Sequence, residues 1–218
     1  MIEHGGVWLP DGEQHMLEWM TTCNERVRGV LTYQYRKLAR ALELTHGRDC
    51  VVDVGAHCGL WSMHLAHEFA SVIAFEPVKA HVDCLMRNCT GVRNVQVYEC
   101  ALGNEKGFVS MHHNPSSSGD TYPMPDARTG GTPLLRYDDM NIGSKVDLVK
   151  LDCEGYELFA LQGMQAMLER DRPTVVVEQK PHRAVKYGLS ETQAVTWLES
   201  LGARLVCRMS GDYFVSWA

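Results

Sequence analysis

The stretch Val51-Val52-Asp53-Val54-Gly55-Ala56-His57-Cys58-Gly59 constrains the fold of this chain more than any other. Its apolar, β-branched start reads as a short strand buried on both faces, which belongs in a parallel sheet covered by helices. Gly55 and Gly59 then let the backbone turn tightly and approach a ligand. A dinucleotide-binding loop needs G-x-G-x-x-G, its middle glycine leaving room for a pyrophosphate. His57 stands in that place, so the loop suits a ligand without a diphosphate.

From Cys50 onward, strand and helix patterns alternate, as a parallel sheet requires. Strands are expected at 50–54, 72–75, 95–98, 146–151 and 174–178, with helices over about 60–69, 78–89, 155–169 and 191–201. Residues 107–112 are expected as an extra edge strand. The ending differs. Segments 204–209 and 213–217 are joined only by Ser210-Gly211-Asp212, so the last strand must run antiparallel to its neighbour. A mostly parallel sheet closed by an antiparallel hairpin, with helices on both faces, is the class I methyltransferase form of the Rossmann-like α/β fold. A nucleotide-dependent oxidoreductase on a similar sheet is the alternative enzyme class, and it lacks that ending.

Residues 1–48 are expected to form a helical extension of the domain that occupies 49–218. Asp11 to Gln14 reads as a capping box. Met16, Leu17, Met20 and Cys23 then recur at helical spacing, and a second helix is expected over 34–44. Residues 113–135 show no periodicity, and four of the eight prolines fall between Asn114 and Pro133. Long loops in compact domains are usually functional. This one is expected to be a substrate loop, with Ser117, Ser118 and Tyr122 as candidate contacts. Tyr33 and Tyr35 are further candidates to stack on a ring.

The net charge of −6 and the lack of a basic run argue against a nucleic-acid surface. The eight cysteines form no C-x-x-C pair and lie mostly in or beside strands, where cysteine acts as a small hydrophobe. That implies a reducing, cytoplasmic compartment. Glu3, Asp11, Glu13 and Glu18 interrupt the start of the chain, so no signal peptide is expected. No apolar run approaches the ~20 residues of a membrane span.

Glu76-Pro77 follows the second strand, about 20 residues beyond the glycine loop, the spacing of a carboxylate that binds ribose hydroxyls. Pro77 can open the next helix. Asp53 would be costly to bury unpaired. It anchors either a ligand's amine or nearby backbone donors. Ala101 and Leu102, after the third strand, are placed to pack on an adenine. The fourth strand ends in Lys150-Leu151-Asp152-Cys153-Glu154-Gly155, at the edge where such sheets bind ligands. Glu154 also suits a helix start, where negative charge is favoured. Glu178 closes the fifth strand and His182 follows. His64 and His67 share a helix face but have no third ligand, so no metal site is expected. An adenosine ligand without a diphosphate points to S-adenosylmethionine.

At these residues the chain resembles the FkbM family of S-adenosylmethionine-dependent methyltransferases. Val52-Asp53-Val54-Gly55-Ala56-His57-Cys58-Gly59 matches its V-D-V-G-A-N-x-G-like motif, with His57 where the family often has Asn. Glu76-Pro77 and Ala101-Leu102-Gly103 match its second and third motifs. Lys150-Leu151-Asp152-Cys153-Glu154-Gly155-Tyr156-Glu157 matches its K-x-D-x-E-G-x-E motif, the most specific of the set. The resemblance covers roughly residues 50–182.

It implies O-methylation of a hydroxyl on a sugar, glycolipid or secondary metabolite. Cofactor contacts are expected from Asp53, Gly55, Ala56, His57, Gly59, Glu76, Pro77, Ala101, Leu102 and Asp152. A hydroxyl is a poor nucleophile and needs a general base. The candidates are Glu178, His182, Asp152 and Glu154, with Glu178 and His182 ahead because Asp152 is expected on the cofactor's amine. A protein of the same fold that binds the cofactor without transferring its methyl group is the remaining alternative.

Overall fold

The computed structural model describes residues 1–114, 117–124 and 131–217. Seven strands form the central sheet: β1 (Cys50–Val54), β2 (Ser71–Phe75), β3 (Val95–Tyr98), β4 (Val146–Leu151), β5 (Thr174–Glu178), β6 (Arg204–Met209) and β7 (Asp212–Ser216). Their order is β6-β7-β5-β4-β1-β2-β3. The five strands from β5 to β3 pair in parallel. β7 runs antiparallel to both β5 and β6. This is the expected class I methyltransferase sheet with its terminal hairpin.

Strand alternation sorts the side chains onto two faces. Val52, Val54, Val149, Leu151, Val175 and Val177 pack in one cluster with Leu158, Leu161, Met167 and Leu198. Those four belong to α5 (Glu157–Gln162), α6 (Gln165–Asp171) and α7 (Gln193–Ser200). Val51, Leu148, Val176 and Phe214 pack on the other face, with Leu38, Ala41 and Leu65. These come from α2 (Tyr35–Leu44) and α3 (Ser62–Leu65).

Several elements depart from expectation, each for a local reason. The region before residue 48 is not purely helical. Ile2–His4 pairs with Val7–Leu9, and Arg26–Val27 with Val30–Leu31, strands too short to show a period. Between them α1 (His15–Cys23) starts after Gln14, which makes no side-chain cap. Glu13 caps instead, its Oε1 accepting the Met16 N–H at 2.8 Å. Of its expected apolar stripe, Met16 and Met20 are buried but Cys23 is exposed. Val7, Leu9, Met16, Met20 and Leu31 pack on Cys58 and Leu60, so this region abuts the glycine loop.

α3 is much shorter than expected, because Asn94 Nδ2 donates to the carbonyls of Ala66 and Phe69 at 2.8 and 2.9 Å. α4 (Lys79–Asn88) starts two residues beyond Pro77. The helix expected over 155–169 breaks at Gly163. A Cβ there would lie 1.9 Å from the Gly103 carbonyl oxygen. The Asp138 carboxylate accepts the N–H groups of Ala166 and Met167 at 2.9 and 3.1 Å, restarting the chain as α6.

The segment expected as a loop over 113–135 is largely extended. Met111–Asn114 pairs with Ser117–Pro123 as an antiparallel hairpin. Thr132–Leu135 pairs with Ala101–Leu102 and with Gly107–Val109. The edge strand expected over 107–112 therefore splits between these two small sheets. Pro115, Ser116, residues 125–130 and Ala218 lie outside the described residues. The hairpin escapes a period-2 reading because Ser117-Ser118-Gly119-Asp120-Thr121-Tyr122-Pro123 is mostly polar and is held by contacts remote in sequence. Among the described residues, no helix is long and apolar enough to cross a membrane.

Gly163 has an ordinary negative φ, so its need for glycine is steric. Gly163→Ala should lower stability by about 1–3 kcal/mol through overpacking, read as a shift in the urea midpoint. Gly91→Ala, with nothing within 4 Å of the added carbon, should stay within about 0.5 kcal/mol.

Candidate active site

A cavity of about 570 Å³ opens over the carboxyl ends of β1, β2 and β4. Gly55, Ala56 and His57 line it after β1, Glu76 and Pro77 after β2, and Ala101 and Leu102 beyond β3. Lys150, Asp152, Glu154 and Lys180 line it from β4 and beyond β5. The hairpin contributes Ser117 to Thr121, and Tyr33 closes the wall before α2.

The glycine loop is built against the end of β4. Gly55 has φ +72, and a Cβ there would lie 1.9 Å from the Asp152 carbonyl oxygen. The loop therefore needs glycine for close approach as well as for its turn. His57, at φ +51, donates its N–H to Glu76 Oε2 at 2.8 Å. Glu76 Oε1 accepts the Val78 N–H and lies 3.0 Å from His81 Nδ1. A carboxylate offers roughly four acceptor positions, so about one remains towards the cavity. Burial works to raise Glu76, but the hydrogen bond and charge of His81 outweigh it, and the carboxyl titrates below its usual range.

The side chain of His57 turns outward to the hairpin, with Nε2 2.8 Å from Ser118 Oγ. Ser118 N–H donates to Glu13 Oε2 at 3.0 Å, and its hydroxyl donates to the same oxygen. Burial, and then the neighbouring His81, lower the His57 pKa to about 3, so its imidazole is neutral at physiological pH.

A row of charge crosses the sheet behind the cavity. Asp53 is fully buried, and its Oδ2 accepts the Ser62 hydroxyl at 2.7 Å. Lys150 Nζ lies 3.5 Å from Asp53 Oδ1 and 3.8 Å from Asp152 Oδ2, and donates to the Gly55 carbonyl at 3.1 Å. Oxygens of Asp152, Glu154 and Glu178 lie within 4.8 Å of one another. Lys180 Nζ is 2.8 Å from Glu178 and 3.5 Å from Glu154, and Arg183 Nε is 2.9 Å from Glu154 Oε2.

Crowded acids cannot all ionise. Burial alone would raise Asp152, but Lys150 and Lys180 overcome it and hold the carboxyl at about 2. Burial and the charge of Asp152 push Glu178 up to about 10. The pair therefore shares one proton at neutral pH. Burial, then Asp152, raises Glu154 above its usual range despite both cations.

Residues 134–205 match the family described as the Methyltransferase FkbM domain. Over that segment the chain is similar to the FkbM methyltransferases. Methyltransferase sdnD of Sordaria araneosa is 27% identical, over 52% of this chain and 60% of its own length. Methyltransferase 1 of Beauveria bassiana is 22% identical, over 52% and 57%. The chain thus spans about 60% of the length of these curated relatives. A solved FkbM methyltransferase from Methylobacillus flagellatus KT shares the fold with TM-score 0.53 at 18% identity, over 80% of this chain and 45% of that one. A putative methyltransferase from Streptococcus mutans in complex with SAH gives TM-score 0.52 at 10% identity, over 84% and 97%.

Most of the expected cofactor residues meet at one cavity, with exceptions. Asp53 does not line it, being engaged by Ser62 and Lys150. Gly59 packs on Leu85. His182 points to solvent, its side chain 87% exposed near Glu191, so it does not join the acids. Glu178 is buried behind Asp152, outside the lining. Tyr122 also lies outside it, stacked on His112 beneath Lys186. Lys150, Lys180, Arg183, His81 and Glu13 also take part in the site without having been expected there. Lys150 had a signal, because it lies two residues from Asp152 on a strand and so shares its face. Lys180 lies as close to Glu178, and His81 lies five residues from Glu76, whereas Glu13 meets Ser118 from 105 residues away.

Glu157, the last acid of the K-x-D-x-E-G-x-E motif, is buried beneath the loop and accepts the N–H groups of Cys153 and Gly155 at 2.9 and 3.0 Å. Burial outweighs these bonds and raises it from 4.5 to about 7. The folded state therefore holds the proton more tightly than the unfolded chain. Its contribution to stability is complete below pH 4.5 and is lost as pH rises through about 7. In chemical denaturation from pH 5 to 8, wild type should lose about 1–3 kcal/mol relative to Glu157→Gln. Parallel curves would contradict a buried, titrating acid.

Proposed function

We propose that this chain is an S-adenosylmethionine-dependent methyltransferase acting on a hydroxyl of a sugar, glycolipid or secondary metabolite. One juxtaposition carries the reading. An adenosine-type wall of Glu76, Ala101 and Leu102 shares a single cavity with the acid-rich end of β4. The cavity volume lies within the ~300–1,000 Å³ typical of small-molecule sites. Glu76 keeps an acceptor position for a ribose hydroxyl, Ala101 and Leu102 offer apolar contact to adenine, and Asp152 offers an anion to the ammonium of an amino-acid tail. These residues fit the cofactor.

Bound there, S-adenosylmethionine supplies an electrophilic methyl group on a sulfonium. The chain's own task is to orient the acceptor oxygen and remove its proton. Glu154 is the best-placed base. It lines the cavity, and its raised pKa makes it a stronger base than Asp152. Glu178 is protonated at neutral pH and set back from the lining, and His182 faces solvent. This ranking reverses the one suggested by sequence. The segment after β4 holds Asp152-Cys153-Glu154-Gly155 rather than an amide-rich tetrapeptide, which favours oxygen over a nucleic-acid amine as acceptor.

Glu76→Ala should weaken S-adenosylhomocysteine binding in calorimetry at least about tenfold, the equivalent of ~1.4 kcal/mol. Unchanged affinity would contradict the ribose role. Glu154→Gln should leave that affinity within about twofold and reduce transfer to a panel of hydroxylated glycans and metabolites by about a hundredfold or more.

A further inference from the structure

We infer that Lys180 is the resident cation of this site, its ammonium standing in the Asp152–Glu154–Glu178 cluster where a divalent ion would otherwise bind. The inference rests on the methyltransferase reading only for what the cluster faces. The three side chains present oxygens within 4.8 Å of one another, a spacing that one hard cation with ~2.0–2.6 Å oxygen contacts can bridge. Lys180 already meets two of them, at 2.8 Å from Glu178 Oε1 and 3.5 Å from Glu154 Oε1. Arg183 takes the other oxygen of Glu154, and Lys150 approaches Asp152 from the sheet. Positive charge thus meets the cluster from each side, and a second cation beside the ammonium would be repelled.

Lys180 is placed to do more than neutralise. Its side chain is 39% exposed, against 2% for that of Glu178, and it lines the cavity. An ammonium offers three N–H donors and no open coordination position. An acceptor oxygen in this cavity would meet the N–H donors of Lys180 beside Glu154, and no metal coordination position. The site would therefore take isolated hydroxyls and gain nothing from a vicinal pair that could chelate a metal.

The test is Mn²⁺ titration followed by the loss of the free-ion paramagnetic resonance signal, using wild type, Lys180→Ala, Lys180→Gln and Lys180→Arg. Removing the ammonium should create a site. Lys180→Ala and Lys180→Gln should bind about one Mn²⁺ at least ~10-fold more tightly than wild type, and adding Glu154→Gln should abolish the gain. Lys180→Arg should behave as wild type. Wild type that itself binds about one Mn²⁺ per chain would overturn the proposal, and that result needs no variant to fold. So would folded Lys180→Ala and Lys180→Gln proteins that bind none. S-adenosylhomocysteine calorimetry on the same wild-type preparation tests the cofactor reading separately, since its failure leaves the Mn²⁺ comparison intact.

Discussion

Four neighbouring strands carry ionisable side chains at one edge of the same sheet face, and the site depends on how these groups neutralise one another out of water. Val51, Leu148, Val176 and Phe214 share the core under α2 and α3. Two residues from each towards that edge, forward along β1, β4 and β5 and back along the antiparallel β7, lie Asp53, Lys150, Glu178 and Asp212. Asp53 faces Lys150 in register, and Glu178 faces Asp212. Asp152 lies one step past the paired Leu151 and Val177. Lys37, from α2, reaches Asp212. Removing one member of a buried pair strands the other charge, at a cost of about 3–5 kcal/mol, so the row constrains α2, β4 and the segment after β5 together.

The opposite face carries no such row. Its strand residues continue the apolar pattern under α5, α6 and α7. This asymmetry places the polar chemistry at the α2–α3 side of the carboxyl edge, beside the glycine loop. Gly55 couples the two, because its backbone lies against the Asp152 carbonyl. The hairpin then closes over both. It is tied to Glu13 and His57 through Ser118, to Arg183 through Asp120, and to Tyr187 through the Pro123 carbonyl.

Much of this was legible in the chain itself. The apolar β-branched runs 50–54, 146–151 and 174–178 announced buried parallel strands, and Ser210-Gly211-Asp212 required the antiparallel ending. Glu76, by its strand end and its spacing from the glycine loop, and Asp152, by its strand end, were expected at the edge where both line the cavity. Short strands before residue 48 and the polar hairpin were not legible, because two or three residues show no period and because Ser118 and Asp120 are held by partners far away in sequence. The break at Gly163 was hidden for the same reason, since the atom it avoids belongs to Gly103.

Local periodicity and turn chemistry therefore decide the sheet, its order of strands and helices, and the edge where a ligand must lie. They act over a few residues, within the reach of a sequence pattern. The protonation states and surroundings of the acids were set only by assembly. Along the chain Glu178 and His182 rank ahead of Glu154 as candidate bases. Folding leaves His182 in water, buries Glu178 against Asp152 with a shared proton, and brings Lys180 and Arg183 to Glu154. Electrostatic energies depend on distance and burial in space, and no spacing along the chain encodes either.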